Sequence, residues 1–365
     1  MSTSSKEFGV YVHVPFCAHR CDYCAFATYS DRDFLMDSYV ESVVKEINWQ
    51  RADGLPLATS IFFGGGTPSR LTVEQLLRIL DAIPRSDDAE VTVECNPEDA
   101  SFERLRAYKN GGVTRMSFGV QSTQPAVLAD LGRRHGIMAH EEVSQAVHDA
   151  GFATWNMDLI IGSRAETLSD VKRTLADLLG LAYPPPHISC YALTPEPSTP
   201  LGKDLSRHPD EDETADAYEL VAKTLEDAGY QWEEISNWAK PGHECRHNHV
   251  YWDQGNYVGF GSAAHSHVDG RRYWNVRTPD RYIAMVENGE RPLGGEEVLD
   301  DATRNFERDS LALRTRRGVP VEAFESLDEI AHLVNVERGQ VTLTTSGRLL
   351  ANQAIVRLRS SEEVN

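Results

Sequence analysis

Three cysteines lie within eight positions near the start of the chain, in the segment CAHRCDYC that spans residues 17 to 24. The chain has only 6 cysteines in 365 residues, so Cys17, Cys21 and Cys24 are half of them. Clustered thiols favour metal ligation over a disulfide framework, which distributes its cysteine pairs along a short secreted chain. The spacing therefore predicts a metal or iron–sulfur site in this loop.

Two kinds of metal site fit three thiolates in one loop. Structural zinc is usually held by four ligands, and His13, His19 or Asp22 would supply the fourth. A cubane iron–sulfur cluster also normally takes four cysteines, so three would leave one iron with an open coordination position. An open position is where a reactant can bind. Unligated cysteines are the third interpretation.

A glycine segment and two acidic residues are further candidates for chemistry. The sequence GGGTPS, residues 64–69, follows a predicted strand, where backbone without side chains can approach a ligand and donate hydrogen bonds. It lacks the later glycine of a dinucleotide fingerprint and the Gly-Lys pair of a phosphate-binding loop, and a tight turn fits it equally well. Glu94 and Asp158 are acids in apolar strands, where ribose hydroxyls or an internal salt bridge would compensate their burial.

Short apolar strands that alternate with amphipathic helices must position these residues. The pattern predicts strands at 9–16, 59–65, 90–95, 113–121, 154–162 and 187–193. Helices are predicted near 33–50, 97–109, 124–131, 138–150 and 167–180, and another after a capping box formed by Thr72 and Gln75. Strands separated by helices imply an α/β fold with parallel pairing, either an open doubly wound sheet or a full or partial β/α barrel. The candidate residues fall near the carboxyl ends of these strands, which predicts one shared site.

Composition narrows the class of protein. The 36 basic and 56 acidic residues give a formal charge of -20, which would repel a phosphate backbone, so no nucleic-acid partner is expected. The polar start MSTSSKEFGV, and the lack of an apolar run near the ~20 residues of a membrane span, predict a cytoplasmic protein. Contact with a membrane would come only through a partner.

Histidine and tryptophan concentrate in the later part of the chain. Five of the 13 histidines lie within 25 residues and four of the 6 tryptophans within 43, namely His243, His247, His249, His265, His267, Trp232, Trp238, Trp252 and Trp274. Flat aromatic surface and an imidazole would suit a haem site. Alternatively, Cys245, His247 and His249 would share one face of an extended segment and hold zinc or copper. An aromatic loop cluster is the third interpretation.

The spacing CxxxCxxC after a first strand resembles the signature of radical S-adenosylmethionine (SAM) proteins. In that superfamily the amino and carboxylate groups of SAM chelate the open iron, and an electron passed into the sulfonium generates a 5'-deoxyadenosyl radical. Over nearly its whole length the chain resembles the oxygen-independent coproporphyrinogen III oxidase family. The segments that carry this likeness, in order, are YVHVPFCAHRCDYCAF, FFGGGTPS, ECNP, SFGVQS, LGRRH, DLIIG, ISCYALTPEPSTPL and HNHVYW.

The resemblance implies a role for each motif residue, although it assigns no catalytic residue. Cys17, Cys21 and Cys24 would bind a [4Fe-4S] cluster, with Tyr11 beside it. The SAM site would take Gly65, Gly66 and Thr67 at the methionine moiety, Arg133 at its carboxylate, and Glu94, Gln121 and Asp158 at the ribose or adenosine groups. One departure is GSRAET at 162–167, where the family usually has GLPxQT, and Arg164 would bring a cation close to the cofactor.

Two branches of that family differ at positions that this sequence contains. The decarboxylating oxidases carry a further cysteine two positions after the third, where this chain has Phe26. The other branch, the haem chaperones called HemW, has an HNxxYW motif, matched here by His247, Asn248, Tyr251 and Trp252, with His247 as the preferred axial ligand and Cys245 as a local alternative. The chaperone branch implies haem, an acceptor haemoprotein and an electron donor as partners, with a homodimer as one assembly state.

These inferences combine into one expected architecture. We expect a partial (β/α) barrel of the radical SAM type with a smaller C-terminal α+β domain. Residues 1–205 would form the core with the cluster and SAM, 206–298 an aromatic and histidine-rich extension with the haem site, and 299–365 a helical, winged-helix-like segment. The expected function is a haem chaperone, and the alternative is a radical SAM coproporphyrinogen III oxidase of porphyrin biosynthesis.

Overall fold

The computed structural model describes residues 7–133, 136 and 138–359. Its strands are β1 (Phe8–Val14), β2 (Ala58–Gly65), β3 (Arg85–Cys95), β4 (Arg115–Gln121), β5 (Thr154–Ile161), β6 (His187–Ala192), β7 (Gln231–Glu234), β8 (Asn237–Ala239), β9 (Asn256–Phe260), β10 (His265–Val268), β11 (Arg271–Asn275), β12 (Leu293–Val298), β13 (Val319–Pro320), β14 (Val334–Glu337) and β15 (Gln340–Leu343). Its helices are α1 (Met36–Ala52), α2 (Val73–Ala82), α3 (Phe102–Asn110), α4 (Pro125–Asp130), α5 (Ala139–Asp149), α6 (Leu168–Leu179), α7 (Pro200–Lys203), α8 (Glu211–Asp227), α9 (Arg246–Trp252), α10 (Pro279–Glu287), α11 (Asp301–Leu313), α12 (Thr345–Leu349) and α13 (Ala351–Ile355).

One large sheet organises the fold. Its strand order is β12-β11-β10-β9-β1-β2-β3-β4-β5-β6-β8-β7. Strands β1 to β6 pair in parallel with their neighbours, and β9 adds a further parallel strand beside β1. The remaining strands of the sheet pair antiparallel at its two ends. The sheet stays open because β12 and β7 do not pair with each other, and this gives the partial barrel predicted from the sequence.

Burial explains why the six central segments form parallel strands. Val10, Val12 and Val14 of β1 have no exposed surface, and the alternate position His13 is also buried. Parallel strands covered on both faces are expected to be apolar at consecutive positions in this way. The strands flank a hydrophobic core to which α1, α2, α6 and α8 contribute their apolar faces.

Helix caps and local turns set most of the element boundaries. The predicted capping box of α2 is present, since Thr72 Oγ1 accepts from the Gln75 amide and Gln75 Oε1 accepts from the Thr72 amide. The predicted helix at 97–109 begins at Phe102, because Pro97 starts a short 3-10 turn and Ser101 caps the helix. Strand β3 begins at Arg85, five residues earlier than the alternation of apolar residues indicated.

The later part of the chain extends the sheet at both ends and adds a small separate one. Strands β13 to β15 form an antiparallel sheet in the order β13-β15-β14, followed by α12 and α13. In the tail, strand β15 is thus followed by two short helices. Among the helices of residues 7–133, 136 and 138–359, none has the length and apolar character that crossing a membrane requires.

Candidate functional site

A cavity of about 450 Å³ lies at the carboxyl ends of the parallel strands and reaches into the barrel. Cysteine-loop residues, the glycine segment and inward-facing strand residues line it together. Most of the residues predicted to share a site are in its wall: Cys17, Cys21, Cys24, Gly65, Gly66, Thr67, Glu94, Gln121, Arg133, Asp158 and Asn248. The expectation that the strand ends converge on one site is confirmed.

Backbone pairing holds the cysteine loop in place. The Cys17 amide donates to the Tyr29 carbonyl at 3.0 Å, and the Tyr29 amide donates to the Pro15 carbonyl at 2.8 Å, so the loop is closed at its base. Thr67 Oγ1 lies 3.6 Å from Cys17 Sγ, and Arg133 Nη1 lies 3.4 Å from Cys21 Sγ. Donors from two distant segments therefore face the sulfur atoms and would stabilise thiolates.

The thiols of the loop are partly shielded from water. Burial raises the pKa of Cys17 to about 11, with neighbouring thiols adding to the shift and the Thr67 hydroxyl opposing it. Burial also raises the pKa of Cys24. Because metal ligation requires thiolates, loading of this loop releases protons.

The glycine segment is fixed by close backbone contacts. A Cβ atom on Gly66 would lie 2.7 Å from the Val14 oxygen and 2.8 Å from the Phe16 oxygen, so only glycine fits there. The amides of Gly65, Gly66 and Thr67 donate to Glu94 Oε2, the Val14 carbonyl and the Phe16 carbonyl. The expectation that these amides donate to a ligand is wrong, because they already have acceptors. A ligand amino group would need acceptor atoms here instead.

Two carboxyl groups share the interior wall. Burial raises the pKa of Glu94 to about 8, Asp158 raises it further, and the Gly65 amide opposes the shift. Burial also raises the pKa of Asp158, although Asn156 Nδ2 donates to its Oδ1 at 2.7 Å and Ser117 Oγ lies 3.4 Å from its Oδ2. Burial, with the charge of Asp158 adding to it, therefore favours the protonated form of Glu94 at neutral pH.

Unpaired polar atoms near the cysteine loop test whether a polar cofactor fits the cavity. Gln121 has a φ of 68°, an uncommon backbone conformation for a residue other than glycine. Its buried Oε1, together with Thr28 Oγ1 and Arg133 Nε, has no hydrogen-bond partner among the described residues. Buried polar groups are rarely left unpaired in a native protein, so this end of the cavity fits a ligand that carries both donors and acceptors.

The candidate fourth ligands of a zinc site differ in their surroundings. Within residues 7–133, 136 and 138–359, no three His, Cys, Asp or Glu side chains, the three loop cysteines included, are grouped to hold one metal ion. His13 uses one ring nitrogen toward Tyr11 and the other toward the Ala27 carbonyl, and Asp22 pairs with Arg207 at 2.9 Å. His19 lines the cavity.

The other cysteines do not supply a fourth thiolate to the loop. Cys95 Sγ donates to the Asn96 carbonyl at 3.2 Å, Cys245 Sγ lies 3.6 Å from Glu90 Oε1, and Cys190 is fully buried in the main core. A cubane cluster normally takes four cysteines, so a cluster on the three thiols of this loop would leave one iron for another ligand.

The inner part of the cavity contains polar residues that the sequence reasoning missed. They are Arg115 and Ser117 of β4, Asn156 of β5, and His187 and Ser189 of β6. Each lies two positions from another polar residue in an apolar strand. Residues two apart face the same side of a sheet, so this spacing could have indicated a polar interior face.

The chain was compared with known proteins. Residues 11–178 match the Radical SAM superfamily. A Mycobacterium tuberculosis protein named heme chaperone HemW is 36% identical over 372 residues, which cover 96% of this chain and 94% of that protein. A protein of the same name from Bacillus subtilis is 34% identical over 368 residues, which cover 94% of this chain and 97% of that protein. This chain belongs to the HemW family.

The fold agrees with this membership. The solved structure of coproporphyrinogen III oxidase (HemN) from Escherichia coli superposes with a TM-score of 0.84, at 20% identity, over 96% of this chain and 89% of that one. The likeness confirms the partial barrel of the radical SAM type. Both the predicted family and the predicted fold class are therefore confirmed for this HemW-family chain.

The HNxxYW motif of this HemW-family chain lies on α9 and closes the inner end of the barrel. His247 is completely buried, with Nδ1 3.0 Å from Ser60 Oγ and Nε2 2.8 Å from the Tyr251 hydroxyl. Its ring stacks on Phe62 with centroids 5.4 Å apart, and burial lowers its pKa to about 3. In this conformation His247 presents no free nitrogen to a haem iron. Asn248 is the motif residue that lines the cavity.

The histidine-rich segment does not form one cluster in space. His249 Nε2 lies 3.0 Å from Glu233 Oε2, His267 Nδ1 lies 2.8 Å from the Gly255 carbonyl, and His265 stacks on Trp274. The idea that Cys245, His247 and His249 share one face of an extended segment is wrong, because residues 246–252 are helical. A helix turns alternate residues to different sides.

Arg164 and Tyr11 lie outside the wall of the cavity. Arg164 points outward to Glu213 at 3.5 Å, and its side chain is 53% exposed. The expectation that Arg164 brings a cation close to the cofactor is therefore wrong. Tyr11 lies behind the cavity wall, where its hydroxyl is 3.1 Å from His13 Nδ1 and its ring stacks on Phe62. The LGRRH motif is described only in part, because residues 134 and 135 lie outside the described ranges.

Proposed function

We propose that this protein is a haem chaperone, which binds haem and passes it to acceptor haemoproteins while it carries a SAM-bound [4Fe-4S] cluster. One observation carries the proposal: proteins named heme chaperone HemW match nearly the whole chain at 34–36% identity. Phe26 supports the choice between the two branches, because it stands where the decarboxylating oxidases have another cysteine. It is 66% exposed at the rim of the cavity.

The cavity residues divide into groups with separate tasks in this proposal. Cys17, Cys21 and Cys24 hold the cluster, and Thr67 and Arg133 donate toward two of the sulfur atoms. When bound, such a cluster supplies an electron and an iron with an open position for an amino acid chelate. The chain's own residues bind and orient the cofactor, with the unpaired groups of Gln121 and Arg133 as its partners.

The carboxyl groups act as hydrogen-bond partners for hydroxyl groups in this account. Glu94 lies on β3 and Asp158 on β5, with β4 between them, and burial holds Glu94 in the neutral form. A neutral carboxyl both donates and accepts, as a ribose hydroxyl does. The Gly65 amide keeps Glu94 against the glycine segment, so the two parts of the cofactor site are connected.

Haem is proposed to contact the barrel where α9 meets the cavity. Asn248 faces the interior, and Phe26 offers exposed aromatic surface at the opposite rim. His247, Tyr251 and Trp252 of the motif belong to the same helix, although His247 would have to leave its hydrogen bonds with Ser60 and Tyr251 to reach iron. The axial ligand therefore depends on a movement of α9.

One anaerobically reconstituted sample, split in two, tests the function. One half is titrated with haem while the Soret band is followed, and the other half receives coproporphyrinogen III, SAM and a reductant. The expected result is a saturable Soret shift at one haem per chain without decarboxylation. Formation of protoporphyrinogen over multiple turnovers would overturn the chaperone assignment in favour of the oxidase.

Matched variants locate the haem contact. Asn248→Ala removes a cavity-facing amide, whereas Asn305→Ala removes an exposed amide on α11. Haem affinity should fall about tenfold in the first variant, as expected for a lost hydrogen bond in a shielded site, and stay unchanged in the second. Equal affinity in both variants would place the haem away from the α9 end of the cavity.

A further inference from the structure

The inner end of the cavity contains a buried cation that none of the roles above uses. Arg115 begins β4 and is 1% exposed, and its Nη2 contacts Nδ1 of His187, which begins β6 and is also 1% exposed. Arg115 Nε and His187 Nε2 are both buried without a hydrogen-bond partner in the part of the chain that the structure describes. Buried polar atoms are rarely left unpaired, so these two side chains on a cavity wall are suited to a polar ligand.

Arg115 forms no ion pair with an acidic side chain within 4.0 Å among the described residues, although its charge acts on the buried carboxyl of Asp158 and opposes the upward shift of the pKa of that group. Asp158 accepts from Asn156 Nδ2, and Glu90 accepts from the amides of Arg246 and His247. His187 stays neutral because burial, and then the charge of Arg115, lowers its pKa well below the usual value. An isolated ion inside a protein is strongly unfavourable unless something pairs with it. The inner end of the cavity is therefore electrostatically prepared for an anion.

We propose that Arg115 and His187 form a subsite for a carboxylate group. A guanidinium and an imidazole N–H can both donate to carboxylate oxygens, and charge-assisted bonds of this kind are strong. Ser117 and Ser189, two positions further along the same strands, also line the cavity and keep its wall polar above the pair. The subsite thus has charge, donors and access to the interior.

This subsite is separate from the cofactor groups near the cysteine loop. Arg133 Nη2 contacts the Gly119 carbonyl, which lies four positions after Arg115 on β4, so about 13 Å of strand separate the two places. The carboxylate of a cofactor placed at Arg133 would not reach Arg115 as well. The subsite therefore receives a different carboxylate.

Two sources have this chemistry. One is a propionate side chain of haem, and this assignment rests on the proposed function. The other is a free small dicarboxylate that enters the barrel without haem. Asn248 lines the same cavity and belongs to the motif helix, which favours the haem propionate.

The experiment compares haem with its dimethyl ester, which lacks free carboxylates. Wild type, Arg115→Met, His187→Gln and the outward-facing control Arg164→Met are titrated with both compounds in the reconstituted full-length protein. Wild type and Arg164→Met should bind haem at least about tenfold more tightly than the ester, because the ester loses charge-assisted hydrogen bonds. The preference for haem over its dimethyl ester should fall below about threefold in Arg115→Met, and it should also decrease in His187→Gln.

A thermal-shift arm with excess succinate separates the two sources and the two proposals. If wild type binds neither porphyrin, the haem function fails, but a melting temperature raised by succinate in wild type and not in Arg115→Met still supports the subsite. The subsite is overturned if Arg115→Met keeps the full preference for haem over the ester. It is also overturned if wild type shows neither a preference for the free acid nor a succinate shift.

The melting curve of Arg115→Met without ligand shows whether this variant is correctly folded. Methionine removes the desolvation cost of the buried charge and keeps much of the side-chain volume. Arg115→Met without ligand should therefore melt no lower than wild type. A marked decrease, with His187→Gln retaining the full preference for the free acid, would show that the pair only joins β4 to β6 and would overturn the proposal.

Discussion

The guanidinium of Arg133 lies 3.4 Å from the sulfur of Cys21, although 112 positions separate the two residues in the sequence. The same guanidinium donates to the Gly119 carbonyl at 2.7 Å and to Asn96 Oδ1 at 3.0 Å. These bonds fix the cation between β3, β4 and the cysteine loop. Arg133 is thus positioned to favour the thiolate of Cys21 and to bind an anionic cofactor group.

Loss of this cation should weaken cofactor binding more than cluster retention. Arg133→Ala is expected to lower SAM affinity at least about tenfold, because a charge-assisted hydrogen bond in a shielded cavity is lost. Arg133→Lys keeps the charge but not the planar guanidinium, and its SAM affinity should lie between those of wild type and Arg133→Ala. Equilibrium binding to reconstituted protein measures the effect, with Arg164→Ala as the exposed control. Unchanged affinity in Arg133→Ala would remove this residue from the SAM site.

Substitution of a loop cysteine should lower the iron content of the reconstituted protein, whereas substitution of Cys95 or Cys190 should not. Each of Cys17→Ala, Cys21→Ala and Cys24→Ala should lose most of the iron and sulfide that wild type binds on anaerobic reconstitution, since each removes a cluster ligand. Cys95→Ala and Cys190→Ala remove buried thiols that do not belong to the loop. These two variants should retain wild-type iron content, and loss of the cluster in Cys95→Ala would contradict the ligand assignment.

The glycine segment should tolerate no Cβ atom at position 66. Gly66→Ala places a methyl group 2.7 Å from the Val14 oxygen, and we expect a loss of about 2 kcal/mol or more in the free energy of unfolding. Gly136→Ala is the control, because no atom lies within 4 Å of its added Cβ, and it should change stability by less than about 0.5 kcal/mol. Urea unfolding of the cofactor-free protein measures both. Equal stabilities would show that the β1–β2 contact can relax.

Glu94 should make stability depend on pH in a defined direction. Its pKa in the folded protein is about 8, above the 4.5 of an exposed carboxyl, so the folded state retains a proton that the unfolded state has lost. The stabilisation that comes from proton binding by Glu94 is fully present below pH 4.5. It decreases as the pH rises from 4.5 and is lost once the pH has passed 8. Glu94→Gln should remove this slope and be more stable than wild type at high pH by on the order of 2 kcal/mol.

The control for this pH effect is Glu103→Gln, which changes an exposed residue of α3. Its pH profile should run parallel to that of wild type across the same range. The account of Glu94 would be wrong if Glu94→Gln and Glu103→Gln gave identical slopes. Chemical denaturation at a series of pH values supplies the measurement.

Replacement of His247 should lower the folding stability of the protein even when no haem is present. The ring is fully buried and has hydrogen bonds at both nitrogens, so His247→Ala should cost about 3 kcal/mol of folding stability. Tyr251→Phe removes only the hydroxyl that contacts Nε2 and should cost about 1 kcal/mol. If His247→Ala unfolds like wild type in urea, the buried imidazole does not stabilise the packing of α9.

The cysteine loop, the glycine segment and the strand-end acids were predictable because each follows an apolar strand at motif spacing. The conformation of α9 was not, since CRHNHV alternates like a strand. Its first amides are held by Glu90, which is 156 and 157 residues away in sequence. A long-range acceptor of this kind leaves no local signal. Arg115 and His187 were missed for a similar reason, because only the parallel register of the strands brings them together.

In the proposed site, three thiolates of one loop hold a four-iron cluster, and the iron without a cysteine binds SAM. Mössbauer spectroscopy of protein reconstituted with isotopically enriched iron, recorded before and after SAM is added, distinguishes that iron from the other three. We expect about one quarter of the absorption, from the iron without a cysteine, to shift on addition of SAM. A spectrum without a four-iron cluster, or a four-iron spectrum that SAM leaves unchanged, would contradict it.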